Sequence, residues 1–166
     1  MDITKNLQIE TRRLDSLGIR FRMYEHRGEE ICIVIRKVDC TEDNSTNIIE
    51  AGYTYKCERN DIDAVLYKIT VPRLKTLNRG MISLVELETK RLKTLGNIWF
   101  RYKFSEDDFF ILNVLDDGEI KELERTLTEM GYSFISWTTQ GNISEYKIPI
   151  SELEKLHGVP IVDASN

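Results

Sequence analysis

The chain has 166 residues, 41% of them hydrophobic and 31% charged, with only three prolines, which suits one ordinary domain or two small fused ones and excludes disordered and fibrous classes. A net charge of -5 is too mild to announce an acidic tail or a polyanion-binding one. Cys32, Cys40 and Cys57 are odd in number and follow no C-x-x-C spacing, so neither a disulfide framework nor a closed zinc site is expected, and a reduced, cytoplasmic setting fits best.

In chain order, the tract "IETRRLDSLG" (Ile9 to Gly18) has apolar residues at helical spacing and stops at a glycine suited to a helix C-terminus. "IRFRMYEH" then alternates, "RGEE" turns, and "ICIVIRKV" returns, which predicts a β-hairpin. A second helix over "NSTNIIEAG" ends at Gly52 and is followed by strands at "YTYKCER" and "AVLYKITV". A short helix closes this series, and Asn78, Arg79 and Gly80 mark the break before the next one.

The second half of the chain repeats the first. "LETKRLKTLG" (Leu87 to Gly96) shares six of ten residues with the opening helix, "EMGYSF" (Glu129 to Phe134) matches "EAGYTY" (Glu50 to Tyr55), and "YKIPISELEKL" matches "YKITVPRLKTL". These three ordered matches lie 78 to 79 residues apart, which identifies an internal duplication. The fold expected is α+β: a tandem, pseudo-twofold duplication of an α-β-β-α-β-β(-α) unit, mostly antiparallel, with helices on one sheet face. Residues 1–79 and 80–166 form the two repeats, and without a Gly, Ser or Pro-rich linker they are expected to pack as one rigid body. In outline such a tandem resembles the saddle of the TATA-binding protein and the two-lobed effector-binding domains of bacterial and archaeal regulators. The strand order departs from the TATA-binding protein's and none of its motifs is present, so no residue role is carried over.

Strand alternation divides each sheet into two faces. Ile19, Phe21 and Met23, with Ile98, Phe100 and Tyr102, are assigned to the core. Arg20, Arg22 and Tyr24, with Trp99, Arg101 and Lys103, are assigned to the opposite face, together with Arg36, Lys56, Lys68 and Lys147 against only Glu58 and Glu145. This basic, aromatic-containing face is the candidate binding surface for an anionic partner, either a nucleic acid or an acidic protein. The tyrosines of "GYTY" and "GYSF" are read as half-buried packing residues with hydroxyls at the sheet rim.

Cys32, Val34, Phe109 and Ile111 fall on the basic side as well, so the second strand of each repeat is apolar on both faces and needs a cover. The expected cover is the other repeat, the sheets pairing edge to edge with these strands near the centre and Pro149 on an outer strand, or else a homodimer seam.

No H-E-x-x-H, G-x-S-x-G, phosphate loop or G-x-G-x-x-G is present, and His26 and His157 stand apart from any cysteine cluster. No catalytic residue, metal site or cofactor is assigned. No apolar run approaches the ~18 residues of a membrane span, and the glycosylation triplet at Asn44 is read as fortuitous. The chain is therefore expected to be a non-enzymatic binding or regulatory module. The alternatives are a small-molecule effector domain with its ligand in a cleft between the repeats, and a hydrolase without a standard motif.

Overall fold

A computed structural model describes residues 3–96, 98–105, 107–115, 120–138 and 142–159. It divides into two compact units between Arg79 and Gly80. The first unit holds α1 (Ile3–Ser16), β1 (Met23–Arg27), β2 (Glu30–Arg36), α2 (Glu42–Glu50), β3 (Thr54–Arg59), β4 (Ala64–Thr70) and α3 (Val71–Leu77). The second repeats the series as α4 (Arg79–Lys93), β5 (Phe100–Phe104), β6 (Phe109–Leu115), α5 (Ile120–Glu129), β7 (Ser133–Thr138), β8 (Ile143–Pro149) and α6 (Ile150–His157). The expected α+β duplication is thus the observed one.

Each unit has its own four-stranded antiparallel sheet, ordered β1-β2-β4-β3 and β5-β6-β8-β7. Among the described residues every strand pairing falls within one repeat, so the single sheet expected is two sheets. The doubly apolar β2 and β6 are inner strands of their own sheets, which is the reason for their composition. Pro149 is not on an outer strand either. It ends the inner strand β8 opposite Phe109 and serves as the N-cap of α6, where a fixed φ of -61° helps turn strand into helix.

In the first unit one face of the sheet meets the helices. Ile31, Ile33, Ile35, Val65, Tyr67 and Ile69 pack there against Leu14, Ile48 and Leu74. These strand residues alternate in sequence, while the helix residues lie on the apolar stripes of α1, α2 and α3. Phe110, Leu112, Val114, Tyr146 and Ile148 occupy the corresponding strand positions of the second unit and are likewise buried.

The strand phase assigned to the first hairpin needs one correction. Register places Tyr24 opposite Ile33, on the core side, and Met23 opposite Val34, on the other. Met23 is exposed, whereas Tyr24 packs against the core and its hydroxyl meets Thr11 Oγ1 at 2.9 Å. Residues 19–22 precede the strand, so Ile19 and Phe21 reach the core without continuing its alternation. In the second unit Tyr102 faces Leu112, and the assigned phase holds. The hairpin loop explains the slip: Tyr24 lies nine residues before Ile33, but Tyr102 lies ten before Leu112. Equivalent residues are therefore 78 apart before the hairpin and 79 apart after it.

Gly52 and Gly131 end α2 and α5 with φ of 103° and 104°. The amides of Tyr53 and Tyr132, one residue on, return to the carbonyls of Ile48 and Leu127. This reversal sends each tyrosine inward. A Cβ added at Gly131 would lie 3.1 Å from Ile148 Cδ1, and one at Gly52 3.1 Å from Leu77 Cδ1. Gly131→Ala is expected to destabilise the second unit by about 2 kcal/mol, through backbone strain and this close approach. Thermal unfolding followed by circular dichroism will check it, the expected result being a midpoint several degrees lower.

Candidate functional site

The duplicated helix motif carries a glutamate and an arginine one turn apart, Glu10 with Arg13 and Glu88 with Arg91. Both glutamate side chains are completely buried. A carboxylate withdrawn from water is tolerable only when its charge and lone pairs are matched. Arg13 donates from Nε to Glu10 Oε1 at 2.6 Å and from Nη2 to Oε2 at 2.9 Å, while its Nη1 donates to the Ala51 carbonyl at the end of α2. The Tyr53 hydroxyl donates to Oε2 at 2.6 Å and the Asn78 amide to Oε1 at 3.1 Å.

The second unit rebuilds this arrangement around Glu88. Arg91 forks onto the carboxylate at 2.5 and 2.8 Å and caps α5 through the Met130 carbonyl. The Tyr132 hydroxyl donates at 2.7 Å, and His157 Nε2 stands 3.1 Å from Oε1 in the position of Asn78. The tyrosines of the GY repeats are therefore buried with their hydroxyls on a carboxylate, not at the sheet rim as expected. Burial, and next the facing carboxylate, push both phenols well above the ordinary tyrosine range. Sequence reasoning missed these groups as a network, although the shared E-T-x-R-L of the repeat was its signal.

The sheet faces opposite the helices differ from the open basic surface expected. In the first unit Cys32, Val34, Ala64 and Leu66 form a buried cluster there, joined by Cys57 and Ile62. Glu25 on β1 and Arg59 on β3 come from opposite edges of the sheet and meet at 3.2 Å, so their side chains lie across the inner strands. Lys56 pairs with Glu30 beside Cys32. Its hydrogen bond holds the Glu30 carboxyl below the ordinary range, whereas burial pushes the Cys32 thiol up. In the second unit Lys103 pairs with Glu145 at 3.5 Å, and Lys147 Nζ lies 4.6 Å from the centre of the Phe109 ring. Long charged side chains thus shelter apolar strand positions and neutralise one another.

The predicted site residues separate accordingly. Tyr24 belongs to the core, Lys103 to an ion pair, and the Arg101 guanidinium lies 5.8 Å from the ring of the half-exposed Trp99. Arg20 and Arg22 come together with a third arginine. They line an open cleft of about 550 Å³ with Asp15, Ile19, Phe21, Arg36 and Asp39.

The cleft has a rigid frame. Asn44 accepts from the Arg20 amide and donates to the Arg20 carbonyl, both at 3.2 Å, and also donates to the Asp39 carbonyl. The Arg22 amide donates to the Val34 carbonyl. Arg36 donates to Asp39 at 3.1 Å, but among the described residues no carboxylate pairs with the side chains of Arg20 or Arg22. The Asn44 amide, buried and engaged in this clamp, is occupied structurally.

Among the described residues no group of three or more His, Cys, Asp or Glu side chains is placed to hold a metal ion, and no helix is long and apolar enough to cross a membrane. The chain matches no family model, no curated protein and no solved structure.

The buried tyrosines generate a pH prediction. Each folded-state phenol pKa is raised, so its stabilisation is complete below the unfolded value near pH ~10 and is lost as pH rises above it, by about 1.4 kcal/mol per pH unit for each tyrosine. Tyr132→Phe is expected to cost about 1.5–3 kcal/mol at neutral pH by leaving the carboxylate short of a donor. It is also expected to reduce the alkaline slope of the second unit's stability, measured by urea unfolding between about pH 8 and pH 11.

Proposed function

We propose that the protein is a non-enzymatic binding module that takes an anionic partner through the arginine cleft of its first unit. The observation that carries this reading is the meeting of Arg20, Arg22 and Arg36 in one cleft that also holds Asp15 and Asp39, with no ion pair to the side chains of Arg20 or Arg22 among the described residues. A guanidinium offers a planar fork that matches phosphate or carboxylate oxygens. Here the Asn44 clamp holds the backbone beneath that fork, so little ordering of the main chain opposes binding. Phe21, between the two arginines in sequence, supplies an apolar wall in the same cleft.

A non-catalytic role is favoured by the state of the buried carboxylates. Glu10 and Glu88 are closed from solvent and saturated by their own arginine and tyrosine partners. The anionic group recognised is a phosphate or a carboxylate. A nucleic acid backbone and an acidic protein segment present these respectively, and the two are separated by experiment.

Fluorescence anisotropy with a labelled single-stranded oligonucleotide and with a labelled glutamate-rich peptide provides the test. Replacing Arg20 and Arg22 together by glutamate is expected to weaken binding of the recognised probe at least about tenfold. For a nucleic acid it is also expected to lower the slope of log affinity against log salt by about 0.7 for each phosphate no longer neutralised. Arg101→Glu, in the other unit, is expected to leave binding within about twofold, because that guanidinium already lies over Trp99. Unchanged binding by the Arg20/Arg22 variant would refute the reading.

A further inference from the structure

Each sheet ends in two edge strands, and an edge strand presents unpaired backbone groups on which another chain can add. In the first unit both edges carry charges. β3, "TYKCER", has three, and all are engaged: Lys56 with Glu30, Arg59 with Glu25 and Asp61, and Glu58 near Lys37. β1 carries Glu25 and Arg27, and β5 of the second unit carries Arg101 and Lys103.

β7 is the exception. It is the duplicate of β3, but its sequence is "SFISWT", with no charge. At equivalent positions Lys56 has become Ile135, Glu58 has become Trp137 and Arg59 has become Thr138. All six residues of β7 are exposed, and Phe134, Ile135 and Trp137 are 47%, 39% and 46% accessible. Its outer edge has no strand partner among the described residues. The duplication therefore contains its own control: both copies of the strand keep a bulge, at Lys56 and at Ile135, but the charges are present in one and absent from the other.

We infer that β7 is the seam of a homodimer, in which two copies of the chain pair their β7 strands antiparallel around a twofold axis to make one eight-stranded sheet. The strand complements itself. Register with β8 sets Phe134 opposite Tyr146 and Trp137 opposite Ser144, both on the helix side of the sheet. The bulge at Ile135 puts Phe134 and Trp137 on one face, so an antiparallel pair centred on it sets Phe134 of each copy against Trp137 of the other, giving two aromatic cross-strand pairs related by the symmetry. With no charged residue in the strand, no like charges are brought together and no charge is desolvated. On β3 an added strand would have to lie beside the charged Lys56, Glu58 and Arg59.

Sedimentation velocity and equilibrium on the full chain, from about 5 to about 500 µM, will test the seam. So small an interface predicts a reversible dimer with a dissociation constant on the order of 10–100 µM. Restoring the first copy's residues with Ile135→Lys and Trp137→Glu is expected to weaken dimerisation at least tenfold. The thermal midpoint of the dilute protein should move little, since the equivalent strand carries those residues natively. Amide exchange on the unsubstituted chain gives an independent reading: protection within residues 133–138 should rise with protein concentration. A chain that stays monomeric throughout, a dimer that survives the double substitution, or β7 exchange that ignores concentration would each overturn the proposal. Association only with an extended peptide of another protein would overturn it equally.

Discussion

A fully buried carboxylate organises each unit. Glu10 lies under helices and sheet with no water to solvate it, so its surroundings must supply opposite charge and donors at once. They come from three places: Arg13 on the same helix, which also donates to the Ala51 carbonyl at the α2 terminus, Tyr53 at the entry to β3, and Asn78 at the end of α3. One acidic group therefore ties together elements far apart in sequence. The positive φ of Gly52 belongs to the same constraint, because only that reversal turns Tyr53 inward beneath α1. Removing the arginine leaves the carboxylate buried without its opposite charge, which in comparable settings costs roughly 3–5 kcal/mol.

The same economy governs the opposite sheet faces. Inner strands with two apolar faces need shelter on the side that helices do not cover. In the first unit that shelter includes Glu25 and Arg59, which reach over the sheet from its two edges, and in the second Lys103, Glu145 and Lys147. Charges used this way are poorly available to a partner. Arg20 and Arg22 lie off the flat face, in the cleft with Arg36, where they stand outside the regular strand and are not drawn into such pairs.

Duplication followed by divergence separates structural residues from the others within a single chain. Glutamate, arginine, glycine and tyrosine are kept at equivalent places because the buried site fails without each. Asn78 and His157 differ, yet both bring a side-chain nitrogen to the carboxylate, so the position needs a hydrogen-bonding group more than a particular residue. The arginine cleft is found in the first copy, and the uncharged edge strand in the second. A fold held by its own internal site can let its two surfaces drift toward different tasks.

Helical spacing, strand alternation and glycine stops determined the element order and the duplication from sequence alone, because these patterns follow from local geometry and are written into neighbouring residues. Alternation also assigned Arg20 and Arg22 to an outward strand face, whereas both precede β1. Alternation failed at Met23 and Tyr24, where chain before the strand and a hairpin one residue shorter than its duplicate shift the phase, a matter of register that no local pattern records. Strand order, the place of Pro149 beside an inner strand, the straps over the second face and the meeting of Glu10, Tyr53 and Asn78 were decided only by tertiary structure. Each depends on contacts between residues tens of positions apart. The repeated E-T-x-R-L marked the buried site, but a sequence shows that two residues are kept and not that a tyrosine over 40 positions later closes onto one of them.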